Sequence, residues 1–376
     1  MRPIPIVAVT RSFDCGGTEQ HLLQTLPRLN REEFAVSVLA LYPGGTLREA
    51  FSQSGLNVWP ASESRLGALV GLATSLVGCR ALIHCFLPEP YLLAAPVGLA
   101  TGSLVLMSRR SRNGYQRQHP VAAWFERRLH SHMAALVGNS SPVVDDLLAE
   151  GAPPDRIRLI YNGVDADRFS SGYQRQVKRQ EVRTRLGLSD DVVVLICVAN
   201  LFRYKGHADL FEALAMLGPV FTESCVMLLA GRDAGELPSL RRQAVQLGIS
   251  DKVQFLGERQ DVQDLLAASD IGVLPSHEEG FSNAVLESMA AGLPMVVTDV
   301  GGNADAVTDG KCGYVVSASE PSRLAEVLAI LILDAGSRST MGDAARARVI
   351  SSFSIASCVQ AYEALYKEIW VRNGQA

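Results

Sequence analysis

The chain has 376 residues, 48% hydrophobic and only 6% aromatic, with 32 glycines and a formal net charge of −4. That length exceeds one ordinary core and suits two domains, and the aliphatic, glycine-rich balance favours buried parallel strands over an all-β sandwich. The charge argues against nucleic acid as partner, and seven scattered cysteines without a C-x-x-C argue against a disulfide framework or structural zinc and for a reducing cytoplasm.

The apolar stretch 4–9 is too short, and too soon followed by polar residues, for a signal peptide. No apolar run is long enough to span a bilayer. A β-rich run at 4–10 leads through Cys15-Gly16-Gly17-Thr18-Glu19 into a periodic helix at 18–29. Strands follow at 34–41, 81–85, 104–107, 135–138 and 158–161, separated by helical patterns, which is the signature of βαβ units. Asn162-Gly163 marks a turn, and the polar stretch 167–191 reads as an interdomain linker. A second cycle has strands at 192–199, 226–230, 253–256, 271–274 and 295–298, and an amphipathic helix at about 355–370 ends the pattern. The predicted class is α/β, with two Rossmann-like domains facing across a cleft. They span 1–170 and 171–354, with a terminal helix at 355–376.

Three segments carry chemistry. In Glu278-Glu279-Gly280-Phe281-Ser282-Asn283-Ala284-Val285-Leu286-Glu287, Ser282 is a candidate N-cap, and Gly292 and Pro294 end the helix. The N–H groups of Asn283, Ala284 and Val285 are placed to meet an anion such as a diphosphate. Glu287, one turn on, suits a ribose diol, and Glu279, before the helix, suits a sugar. The plainer alternative is an ordinary capped helix. In the second segment, Arg203 and Lys205 follow a buried strand. At an effective dielectric near 20, one such cation about 4 Å from a phosphate is worth roughly 4 kcal/mol; the alternative is a pair of solvated cations. Gly16 and Gly17 let backbone approach a ligand, although they form neither G-x-G-x-x-G nor a P-loop.

Together and in this order, the segments resemble the GT-B glycosyltransferases of the large retaining family 4. The matching pieces include Gly16-Gly17-Thr18-Glu19, Asn139-Ser140, Asn162-Gly163-Val164-Asp165, Lys205-Gly206-His207, the E-x7-E from Glu279 to Glu287, and Met289-Ala290-Ala291-Gly292-Leu293-Pro294. The resemblance implies that Arg203 and Lys205 grip the donor diphosphate and that Glu279 meets the donor sugar. It implies that Gly280, Phe281, Ser282, Asn283, Ala284 and Val285 hold sugar and phosphate, and that Glu287 binds ribose. Arg259 falls where the nucleobase docks, Gly16 and Gly17 match the loop over the diphosphate, and the terminal helix matches one that crosses back to the N-terminal domain. The family's His-x-His is here His84-Cys85-Phe86, so His84 is either a sugar or acceptor contact or a satisfied structural histidine.

Within 101–135, Arg109, Arg110, Arg112, Arg117, Arg127 and Arg128 face one acid, Glu126, with Trp124 and Phe125 interleaved. This stretch reads either as a peripheral contact with an anionic membrane or acceptor, or as a solvated helix face with core aromatics. The expected function is retaining transfer of a sugar from a nucleoside-diphosphate sugar, UDP before GDP-mannose, to a glycan or lipid-linked hydroxyl. No cofactor or metal is expected, since two cations and a helix terminus serve the diphosphate and no D-x-D suits a bridging ion. The expected setting is cell-surface polysaccharide or lipopolysaccharide synthesis in the cytoplasm. The alternatives are an epimerase or hydrolase on the same fold, a non-catalytic sugar-nucleotide binder, and a Rossmann dehydrogenase, which the missing G-x-G-x-x-G disfavours.

Overall fold

A computed structural model describes residues 2–42, 44–59, 62 and 64–374. The chain divides into two compact units, Met1–Gly163 with Ile355–Ala376, and Val164–Ser354. The division falls after Gly163 rather than after residue 170.

The first unit holds β1 (Ile4–Thr10), β2 (Phe34–Ala40), β3 (Asn57–Val58), β4 (Leu82–Phe86), β5 (Leu104–Arg109), β6 (Ala135–Gly138) and β7 (Ile157–Leu159). They form one sheet in the order β3-β2-β1-β4-β5-β6-β7, with every pairing parallel. Side chains alternate across it, as a strand's period of two requires. Ile6 and Ala8 join one apolar layer with Leu82 and Leu106, while Val7 and Val9 join the other with Ile83 and Val105. The terminal helix Ile355–Gly374 closes the first layer. Its Val359, Tyr362, Tyr366 and Ile369 recur every three or four residues and pack with Ile6, Phe34 and Leu106. The last two residues of the predicted 355–376 helix lie outside the described residues.

The second unit holds β8 (Val193–Val198), β9 (Cys225–Ala230), β10 (Val253–Gly257), β11 (Ile271–Leu274), β12 (Met295–Thr298) and β13 (Gly313–Val316). The order is β10-β9-β8-β11-β12-β13, again all parallel. In both sheets the winding reverses beside the first strand, between β1 and β4 and between β8 and β11. An open α/β sheet leaves a crevice at that switch point, outside the strands' carboxyl ends.

The stretch 167–191 is not a linker. It carries the helix Gly172–Arg185, and its arginines are put to internal use. Arg179 and Arg183 each bond Asp270 at 2.7 Å, and the fully buried Arg183 also donates to the Ala268 carbonyl at 3.1 Å. Arg175 reaches the Ser269 carbonyl at 3.2 Å. These carbonyls end the helix Val262–Ala268, where unpaired C=O groups attract cations. Among the described residues no helix is long and apolar enough to cross a membrane. All seven cysteines are free.

Candidate active site

Three loops at the carboxyl edge of the second sheet lock together through backbone. After β8 the chain makes a single 3-10 turn, Arg203–Lys205, and leaves it through Gly206 at φ 71°. A Cβ on Gly206 would lie 1.9 Å from the Pro275 carbonyl oxygen, so the β8 loop rests directly on the loop after β11 and only glycine fits. The His277 N–H donates to the Tyr204 carbonyl at 2.7 Å. From the other side Gly301, at φ 53°, presses on the Glu279 carbonyl, and the Gly302 N–H donates to the Gly280 carbonyl at 2.7 Å.

That packing brings Lys205 and Glu279 together. The Lys205 Nζ lies 2.6 Å from Glu279 Oε1, which also accepts from the Ser276 hydroxyl at 2.7 Å. Burial works against the lysine charge, but the Glu279 charge and its hydrogen bond outweigh it and leave the ammonium pKa raised. Arg203 shares the turn, yet it is exposed and has no ion-pair partner among the described residues.

Three residues after Glu279, Ser282 caps the helix Asn283–Ala290, its hydroxyl accepting from the Val285 N–H at 3.4 Å. This corrects the expectation for Val285: the cap consumes its N–H. Phe281 is buried, its ring 5.4 Å from that of Phe353. Glu287 is half-buried on the same helix. Burial pushes its carboxyl up to about 7, with a smaller opposing pull from Arg168. Arg259 is not gathered into this group. It stands just past β10, an edge strand, where Asp261 takes its guanidinium in two bonds of 2.8 and 2.7 Å.

In the first unit, Gly16 sits at the N-cap of the helix Gly17–Thr25, just beyond β1. A Cβ on Gly16 would meet a Glu19 carboxylate oxygen at 2.7 Å. Glu19 is itself buried and accepts from the Thr10 hydroxyl at 2.8 Å. His84 is held by protein groups on both ring nitrogens. It is fully buried, with Nδ1 2.8 Å from the Tyr366 hydroxyl and Nε2 2.7 Å from the Ser108 hydroxyl. Burial, helped by Arg110, lowers its pKa to about 3. No ring nitrogen is left for a sugar. Both partners lie far away in sequence, on β5 and the terminal helix, so the motif alone could not reveal them.

Residues 178–348 match Glycosyl transferases group 1, and residues 15–168 match Glycosyltransferase Family 4. The chain belongs to glycosyltransferase family 4. A D-inositol 3-phosphate glycosyltransferase of Corynebacterium jeikeium (strain K411) is 34% identical over 253 residues, covering 65% of this chain and 59% of its own. The N-acetyl-alpha-D-glucosaminyl L-malate synthase of Bacillus anthracis is 30% identical over 217 residues, covering 58% of this chain and 55% of its own. The match therefore spans less than two thirds of either relative. Among solved structures, Anabaena HepE in complex with UDP has a TM-score of 0.86 at 21% identity, covering 97% of this chain and 100% of that one. At that identity the likeness is one of fold, the two-domain GT-B architecture.

The basic stretch of this family 4 chain divides between internal ion pairs and exposed cations. Arg109 is buried between Glu126 and Glu150. Arg112 pairs with Asp146 at 2.6 Å. Arg110 is partly buried and bonds the Asn162 side chain at 2.9 Å. The Arg117 side chain lies outside the described residues. Among the described arginine side chains of this stretch only Arg127 and Arg128 are exposed, and Trp124 and Phe125 are exposed too instead of joining the core. Glu126, His130 and Glu150 bring potential metal-ligand atoms within 4.8 Å of one another, but Arg109 already supplies the cation that both carboxylates bind.

Proposed function

We propose that the protein is a retaining glycosyltransferase that moves a sugar from a nucleoside diphosphate to an acceptor hydroxyl without a metal. The observation that carries this reading is the Lys205–Glu279 pair, held at the β8/β11 switch point beside the Ser282-capped helix. In the resting protein the two side chains satisfy each other. A donor diphosphate would draw Lys205 away, with Arg203 and the amides at the helix start as further donors. Glu279, released, would accept from hydroxyls of the donor sugar. Negative charge grows on the diphosphate as the glycosidic bond breaks, so these donors bind the transition state more tightly than the ground state, which lowers the barrier. The leaving phosphate, on the same face, would take the acceptor's proton. Glu287 would hold the ribose.

HepE was solved with UDP and with UDP-glucose, which favours a UDP-sugar, GDP-mannose coming second. The acceptor we favour is a glycan or lipid-linked hydroxyl of cell-surface polysaccharide or lipopolysaccharide synthesis, met in the cytoplasm. The test is turnover and nucleotide affinity together. Lys205→Ala is expected to lose on the order of 10²–10³ in kcat, about 2.7–4 kcal/mol of barrier. Full activity in that variant removes Lys205 from the mechanism. Sugar release without any acceptor would make the protein a hydrolase instead.

One observation favours a second acceptor class. Arg110 has no ion-pair partner among the described residues, and burial lowers its pKa, with Tyr362, Cys358 and Glu19 attracting it from nearby. Arg110 is partly buried and its bonded partner Asn162 is neutral, so an acceptor's anionic group would add a charge partner at this point. Two relatives are named for anionic acceptors, inositol 3-phosphate and malate. On this reading Arg110→Gln raises the KM for a phosphorylated or carboxylated acceptor about tenfold or more, the loss of roughly one charge-assisted hydrogen bond. An unchanged KM returns the choice to neutral glycans.

A further inference from the structure

The helix Pro120–His130 is turned inside out. Its buried face is ionic: Glu126 binds Arg109 and accepts from the Tyr115 hydroxyl at 2.7 Å, and His130 lies 3.0 Å from Glu150 and 3.2 Å from the Tyr91 hydroxyl. Its outer face is apolar, with Val121 69%, Trp124 53% and Phe125 55% exposed. The Trp124 and Phe125 rings meet edge to face at 4.9 Å, and the Arg128 guanidinium lies 5.0 Å from the Trp124 ring. Beside Phe125 opens a hollow of about 630 Å³, lined by Leu92, Pro96, Val121 and Leu129 among others.

A surface helix ordinarily turns its apolar stripe inward. This one cannot rotate to do so, because rotation would pull Glu126 and His130 off Arg109 and Glu150 and strand buried charge. The aromatic face is therefore held outward, and a contiguous exposed apolar patch calls for a partner. Charge tells which partner. Glu126 is the only acid between Thr101 and Ala135, and it is 1% exposed, so this segment presents Arg127 and Arg128 outward with no acid among them. Aromatic and aliphatic side chains with arginines at their border settle at the headgroup boundary of an anionic bilayer.

We propose that this helix docks the protein on a membrane surface carrying anionic lipid. Val121, Trp124 and Phe125 enter the acyl boundary, Arg127 and Arg128 face lipid phosphates, and the hollow takes part of one acyl chain. The surface belongs to the first unit and does not depend on the transfer reaction, although it would give a lipid-linked acceptor a place to be met.

The experiment is flotation of the full chain with vesicles of phosphatidylglycerol and phosphatidylcholine in equal parts, against phosphatidylcholine alone. The chain is expected to float with the mixed vesicles. Trp124→Ser with Phe125→Ser should weaken binding about tenfold or more, and Arg127→Gln with Arg128→Gln should erase the preference for the anionic lipid. All four side chains are exposed, so thermal unfolding and nucleotide affinity should stay as in the parent. No flotation, or undiminished flotation of the double serine variant, overturns the proposal. So does a dimer in sedimentation that the serine variant splits while vesicles go unbound, since a second copy would then own the face. A chain inactive with every donor would sink the transferase reading and leave the flotation result standing.

Discussion

At the scale of single residues, Glu287 ties the donor site to pH. Burial holds its carboxyl near 7 against an ordinary 4.5, so between those values the folded protein keeps a proton that the unfolded chain has released. Stability from this group is therefore greatest at low pH, falls as pH rises through the window, and levels off above about 7. Glu287→Gln, neutral throughout, should melt above the parent at pH 8 and no higher at pH 5. An equal offset at both pH values would remove ionisation from the account. Glu287→Ala should also weaken nucleotide binding in calorimetry if the side chain holds a ribose. Arg109, Arg110 and Arg112 show where residue-level reading stops. In sequence they look like a basic patch, and only the fold reveals that Glu126 and Glu150 meet Arg109, that Asp146 meets Arg112, and that Arg110 turns to Asn162.

At the scale of elements, β8 was readable because its six residues, Val193–Val198, are apolar and mostly β-branched, as a strand covered on both faces must be. The Ser282 cap and the glycine–proline stop around Asn283–Ala290 were equally local. Asn57–Val58, at two residues, is too short to show a period. The helix Gly172–Arg185 passed for a linker because its arginines looked solvated, whereas they neutralise a neighbouring helix end. The loop contact at Gly206 gives the element-scale prediction. Gly206→Ala places a methyl group against the Pro275 carbonyl at an unfavourable φ. It should lift the β8 loop, part Lys205 from Glu279, and lower kcat about 10²-fold, with a stability loss of roughly 1–3 kcal/mol. Turnover within twofold of the parent would mean that this contact does not position Lys205.

At the scale of the whole molecule, two parallel sheets in series followed from the alternation of strands and helices, while the order of the strands within each did not. Which unit owns the terminal helix did not follow from its own amphipathic pattern. The resemblance implied it, and the packing of Tyr362, Tyr366 and Ile369 with Ile6 and Phe34 shows it. Each such side chain contributes about 1.5–3 kcal/mol when buried, against a net stability near 5–15 kcal/mol for a domain. A chain ending at Ser354 should therefore fail to fold its first unit, and hydrogen exchange should find that unit unprotected. The segment Val164–Ser354 expressed alone should fold and keep measurable affinity for its nucleotide. A soluble, protected first unit without the helix would contradict this.

The same connectivity sets an order of events on the ribosome. Residues up to Gly163 emerge first but lack one wall of their core until everything up to Ser354 has been made, a wait of roughly ten to forty seconds at ordinary elongation rates. The later-made unit is thus the first able to finish. Until the final stretch arrives, the bare patch around Phe34 and Leu106 is what a chaperone would find.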